Sequence, residues 1–180
     1  TADERTWPKD KSEPVLFLGE WCKRYSRKHI WEDIDYKVAP YHWDDRKKLF
    51  DDYQSIQKLY EKLLSELTDK LNQIHNVSHS NRYWRILIGP WLGYFIGMVF
   101  DRWFMLKQVI DQVDDIKCTV IDRNFISVVP NDMEHFHKLY VDDDWNEAIY
   151  SQLLLQWAAK VDIRSVLWQR ANIVQEKNAD

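Results

Sequence analysis

Glycine is scarce in this chain, with four in 180 residues. Three of them, Gly89, Gly93 and Gly97, fall in one apolar stretch at four-residue spacing. Neither a Gly-x-Gly-x-x-Gly turn nor a phosphate-cradling Gly-Lys-Ser/Thr loop is present, so a glycine-rich nucleotide site has no place here. Small residues so spaced point instead to close helix packing. Cysteine is nearly absent too. Cys22 and Cys118 stand far apart, without metal or disulfide spacing, as in a reducing compartment. Charge of one sign is missing: the net is −4 with acids and bases interspersed, and no basic stripe offers itself to nucleic acid. Nothing at the start reads as a secretory leader. The uncharged run from Ile86 to Phe100 stops short of the roughly 20 residues that cross a bilayer. No transmembrane segment and a cytoplasmic location are therefore expected. His135 and His137 are two apart and diverge on a helix, with no matching carboxylates, so no metal site is expected. No nucleophile elbow is visible.

Tryptophan is what the chain has in excess. There are ten, in a sequence that is 45% hydrophobic, enough for a packed core at this length. Several sit beside charges, as in Glu20-Trp21, Trp43-Asp44 and Asp144-Trp145. Their N–H and flat ring suit sugar stacking, although core or core-edge placement competes for each one.

The periodicity predicts an α/β order. Residues 1–13 read as a linker or loop, 14–170 as a single α/β domain, and 171–180 as a frayed tail. Strands are expected at 15–18, 36–41, 117–121 and 161–168. A helix capped by Asp44 or Asp45 carries Leu49, Tyr53, Ile56, Tyr60, Leu63, Leu67, Leu71 and Ile74 at steps of three and four. Ser80 caps a second long helix, kinked near Pro90, whose Trp91, Phe95 and Val99 should be almost fully buried. The short link makes the two an antiparallel hairpin. Helices from Asn131-Asp132 and from Trp145 follow. The implied fold is α/β: a Rossmann-like parallel sheet, helix-rich, with a long helical hairpin.

Strand-end loops are where such folds place ligands. Glu20 would serve as a general base or hold sugar hydroxyls, with Trp21 stacking on a ring. His42 beside Asp44 or Asp45 would form an acid/base pair, and an ordinary helix cap with a solvated histidine is the competing reading. Arg82 and Arg85 share a helix face and suit bidentate recognition of phosphate or carboxylate, or else pair with nearby carboxylates. Asn131 and Asp132 form a further polar pair at a helix start, where simple capping is the alternative.

Six segments carry a family resemblance: Leu-Phe-Leu-Gly-Glu-Trp-Cys (16–22), Tyr-His-Trp-Asp-Asp-Arg (41–46), Leu-Tyr-Glu-Lys-Leu-Leu (59–64), Arg-Tyr-Trp-Arg-Ile-Leu-Ile-Gly-Pro-Trp-Leu (82–92), Asp-Arg (101–102) and Val-Pro-Asn-Asp-Met (129–133). Together they resemble the N-terminal part of a bacterial family of surface-carbohydrate-biosynthesis transferases, glycosyltransferase-like, whose members run much longer. The resemblance implies the N-terminal half of a GT-B-like enzyme, completed by a second Rossmann-like half downstream and inactive without it. Its partners would be a carbohydrate acceptor, a nucleotide sugar as substrate, and that C-terminal half. No cofactor is expected on this fragment. In that reading Glu20 or Asp45 is the catalytic carboxylate, Arg82 and Arg85 bind anionic groups, and Trp21, Trp43 and Trp84 line the sugar site. The competing function is a non-enzymatic helical and aromatic interaction module. Convergence of Glu20, His42, Asp45 and Arg82 on one cleft would favour the enzyme.

Overall fold

A computed structural model describes residues 1–122 and 128–167. The proposed tail at 171–180 and the end of the last expected strand lie outside them. Strand β1 (Val15–Phe17) leads through a 3-10 turn (Glu20–Cys22) and a short helix α1 (Lys28–Trp31) to β2 (Tyr36–Val38). Two long helices follow, α2 (Arg46–His75) and α3 (Asn81–Gln112), then β3 (Lys117–Asp122), α4 (Met133–Leu139), α5 (Asp143–Leu154) and β4 (Asp162–Leu167). Residues 1–13 include a 3-10 turn at Glu4–Thr6, and Ala2, Asp3 and Trp7 are buried.

The strands stand near their expected positions and pair in parallel, but they do not make one sheet. β1 pairs only with β2, Val15 opposite Tyr36, and β3 only with β4, Lys117 opposite Asp162. The Rossmann-like sheet is thus overturned: among the described residues there are two separate two-stranded sheets within a mainly helical chain. The C-terminal half of α3 packs near the strand ends, burying Met105 and Val109 against Ala39 with Leu18 and Ile116 packed alongside. Leu106 and Ile110 pack on Tyr150, Leu154 and Val161. Strands as short as the three-residue β1 and β2 offer too few ladder bonds to recruit further neighbours.

The hairpin forms as expected. Asp45 caps α2 by accepting from Lys47 N at 2.9 Å and Lys48 N at 3.1 Å. Asn76 ends it in the left-handed region (φ 51°, ψ 48°), which asparagine tolerates better than most residues. Ser80 Oγ caps α3 through Tyr83 N. The helix runs through Pro90, whose missing N–H falls on an exposed face. The buried seam differs from the expected one. Leu64 and Thr68, not Leu63 and Leu67, are the buried residues of α2. In the middle of α3 the buried positions are Leu92, Ile96 and Met98, with Trp91, Phe95 and Val99 half-buried around them. Ile56, Tyr60, Leu63 and Leu67 still pack, half-buried, against Leu64, Leu92 and Ile96. Gly89 admits the Tyr60 hydroxyl, which would lie 2.6 Å from a Cβ there.

Two buried polar contacts fix the outer helices. Trp145 is fully buried against Phe136 and donates from Nε1 to Val128 O at 3.0 Å. Glu147 accepts through Oε1 from Ile121 N at 3.0 Å and Ser151 Oγ at 2.7 Å, tying α5 to β3.

Candidate functional site

Because β1 and β2 are parallel, the loops after them leave from the same edge. On that edge the chain assembles a polar and aromatic cluster over the middle of α3. The His42 side chain is sealed from solvent, its Nε2 3.1 Å from Asp101 Oδ1. Its ring stacks on Phe104 and tilts against Trp43 at 4.5 Å. His42 Nδ1 faces Asp52 Oδ2 at 4.0 Å, beyond a hydrogen bond. Asp52 accepts from Trp43 Nε1 at 3.0 Å and from Lys48 Nζ, and that ammonium lies over the Phe104 ring. Burial pushes the His42 pKa down, while the hydrogen bond and charge of Asp101 oppose the shift.

Asp101 opens this cluster to solvent, its side chain 24% exposed. Burial and the Asp101 carboxylate together push the Tyr41 phenol up. Arg102 is sunk behind, donating from Nε to Asn146 Oδ1 at 2.8 Å and from Nη1 to Met98 O at 3.1 Å. Burial pulls its pKa below the ordinary arginine value. Burial also pushes the Tyr150 hydroxyl up, with Arg102, Asp101, Cys22 and Tyr41 all in its field. Trp21 lies flat on Tyr150, ring centroids 5.5 Å apart and planes 14° from parallel. Gly19 is needed for this: a Cβ there would stand 2.4 Å from Trp21 Nε1. Its backbone is extended, so the requirement is room rather than conformation. The Cys22 thiol is pushed up by burial and is no nucleophile.

The expected site residues therefore fall in three places. His42 and Trp43 meet in the loop after β2, while Trp21, in the turn after β1, stacks on Tyr150. Glu20 sits beside Trp21 in the turn, exposed and paired with Lys23 Nζ at 2.9 Å. Asp45 is close to His42 and Trp43 in sequence, but its carboxylate serves the α2 cap. Arg82, Trp84 and Arg85 lie at the far end of α3, about 25–30 Å along the helix from Asp101 at 1.5 Å per residue. Trp84 is buried there and donates to Asn72 Oδ1 at 2.9 Å. Arg85 grips Glu61 with two bonds of 2.7 and 2.6 Å, and no carboxylate among the described residues pairs with Arg82. In the third place, Asp132 caps α4 by accepting from His135 N at 2.7 Å, and Asn131 N donates to His135 Nδ1 at 3.1 Å. The expected convergence of Glu20, His42, Asp45 and Arg82 does not occur.

Sequence reasoning missed Asp101, Tyr41, Asp52, Arg102 and Tyr150. One signal was readable: Asp101 and Arg102 are the first charges after a long uncharged run, where a carboxylate needs a partner. That the partner is His42 follows only from the packing of the loop. Among the described residues no group of three metal-ligating side chains occurs, and no helix is long and apolar enough to cross a membrane.

A family model described as LIC12162 family transferase matches residues 1–179, and the chain belongs to that family. No curated protein and no solved structure matches it.

Proposed function

We propose that this chain is the acceptor-handling part of a cytoplasmic glycosyltransferase that builds bacterial surface polysaccharide from a nucleotide sugar, working with a C-terminal half of a longer polypeptide. Membership of a transferase family supports the class of reaction. The observation that carries the sugar reading is the strand-edge cluster. Trp21, 42% exposed, offers a flat apolar face backed by Tyr150, and the partly open Asp101 carboxylate acts on that same Tyr150. An aromatic platform beside a carboxylate is how a site holds a pyranose and one of its hydroxyls. Asp101 takes the proton of the acceptor hydroxyl as its oxygen bonds to the anomeric carbon, and the nucleoside diphosphate leaves with the electrons of the broken C–O bond. His42 holds the Asp101 side chain in place, Arg102 and Tyr41 surround it with charge and hydrogen bonds, and Glu20 lies on the rim.

The test is release of nucleoside diphosphate from a panel of nucleotide sugars by the intact protein. Asp101→Asn is expected to lower turnover by about 10²–10⁴-fold while melting normally, and Trp21→Ala to raise the KM for the acceptor. Full turnover by Asp101→Asn removes the base assigned here. No release from any nucleotide sugar removes the glycosyl-transfer reading.

A second reading, an interaction module, has its own observation at the other end of α3: an apolar face that no described residue covers, with Ile86 69% and Leu87 57% exposed.

A further inference from the structure

Two ion pairs lie one residue apart on the first turns of α2, and they differ in setting. Lys47 and Asp51 pair in the open, as solvated helix faces do. Lys48 and Asp52 pair with side chains only 24% and 17% exposed. Drawing an ion pair out of water carries a desolvation penalty that the outer pair avoids. The inner pair also meets the strand-edge cluster. Asp52 Oδ2 accepts from Lys48 Nζ and, at 3.0 Å, from Trp43 Nε1. That same oxygen faces His42 Nδ1, 4.0 Å away. With two donors already on it, its lone pairs are taken. His42 Nδ1 is buried and makes no hydrogen bond, while Nε2 lies 3.1 Å from Asp101 Oδ1. An ionised carboxylate only accepts, so Nε2 is the nitrogen that carries the proton. The Lys48 ammonium further lies 3.5 Å over the Phe104 ring, and that ring stacks on His42.

We propose that Lys48, acting through Asp52, is a positioning residue for the strand-edge carboxylate: it keeps His42 a neutral ring with its one proton on Nε2, aimed at Asp101. Charged groups from two helices set this balance. Burial drives the ring toward neutrality, and the hydrogen bond and charge of Asp101 on α3 oppose it. On the α2 side the Lys48 charge works with burial, and Asp52 works against it. From its own loop the ring meets Tyr41 edge-on, a phenol pushed up by burial and so uncharged. Without the Lys48 ammonium, Asp52 Oδ2 regains a lone pair and an uncompensated charge, and both draw a proton to Nδ1. The ring then either turns its proton away from Asp101 or becomes an imidazolium. A neutral ring gives Asp101 one hydrogen bond and no counter-charge. An adjacent imidazolium would make that carboxylate a weaker base. The consequence for turnover rests on the glycosyl-transfer reading, whereas the state of the ring does not.

The experiment is nitrogen NMR of isotope-labelled histidine rings in the intact protein at about pH 7, with His42→Gln to assign the His42 signals. Wild-type His42 is expected to be neutral and protonated on Nε2. Lys48→Met keeps an apolar stem over Phe104 and removes the charge, and its His42 should carry a proton on Nδ1, alone or as an imidazolium. Lys48→Arg should keep the wild-type pattern, and adding Asp52→Asn to Lys48→Met should restore it. In turnover, Lys48→Met should lower kcat by about tenfold, on the scale of a weakened general base, with the acceptor KM unchanged and Lys48→Arg recovering the rate. A wild-type His42 that is charged or protonated on Nδ1 overturns the proposal without any variant. So does a Lys48→Met ring identical to that of wild type. A ring that switches as expected while turnover stays whole upholds the Lys48 assignment and removes Asp101 as the base.

Discussion

The two ends of α3 differ in what surrounds them. At the body end, Asp101, Arg102, Met105, Leu106 and Val109 are gripped by β1, β2, α5 and the loops between them, and the charged groups there are bonded to one another. At the tip, the same helix meets one neighbour and turns its apolar side chains outward. A single helix so unequally covered teaches that its sequence answers to two environments. The body end is organised for rigidity, with polar groups held in fixed places. The tip leaves Ile86 and Leu87 open to solvent.

The largest expected difference is in stability. Trp145 is fully enclosed on the body side and bonded to Val128. Trp145→Ala should cost about 3–5 kcal/mol in urea melts, as for other buried aromatics. Leu87→Ala, at an equally apolar position of the tip, should stay within about 0.5 kcal/mol of wild type. Equal losses at both sites would mean that the tip is a packed core and erase the contrast.

Much of this architecture was legible. The hairpin followed from period and capping: Asp45, Ser80 and the polar link between the helices are local signals, and local signals survive any tertiary arrangement. The strands were legible as positions and directions but not as a sheet. Which strand pairs with which depends on contacts between segments far apart in the chain, and no strand carries that information in its own residues. The expected stripe of α2, with Leu63 and Leu67, does pack on α3, but its deepest positions are Leu64 and Thr68, which the apolar period alone did not single out. The site divided in the same way. Trp21, His42 and Trp43 were legible as residues that follow strands, and the fold places them after β1 and β2. Arg82 was joined to them wrongly, since helix length alone carries it about 30 Å away. Asp101 was missed because its partner is 59 residues distant.

The next effect sharpens the tip's side of the comparison. Asn72 joins both helices and the turn: its Oδ1 accepts from Trp84 Nε1 at 2.9 Å and His79 N at 3.0 Å, and its Nδ2 donates to His79 O at 2.9 Å. Asn72→Ala leaves a buried indole N–H without a partner, a loss of about 1–3 kcal/mol. Faster amide exchange should appear in residues 72–84 and not in β3. A silent Asn72→Ala would mean that the apposed helices alone position the tip, with the turn merely following.

The smallest expected effect is a pH dependence, and it belongs to the body end. His42 is surrounded by Asp101 on one nitrogen, by Asp52 and Lys48 on the other side, and by Phe104 and Trp43 on its faces. Burial is the largest influence and lowers its pKa in the folded chain. The unfolded chain, with an ordinary histidine near 6.5, then binds more protons than the folded one once the pH falls toward that value. Stability therefore declines as pH drops through the unfolded pKa and stops declining below the folded one, where both states are protonated. Thermal melts of wild type and His42→Gln between about pH 7.5 and pH 5 isolate this contribution, because the surface carboxylates titrate in both proteins. Wild type should lose more of its melting temperature than His42→Gln as the pH is lowered. The opposite order would mean that Asp101 and Asp52 outweigh burial and hold a charged imidazolium in the folded protein. In that case the strand edge would be centred on an ion pair rather than on a carboxylate positioned by a neutral ring.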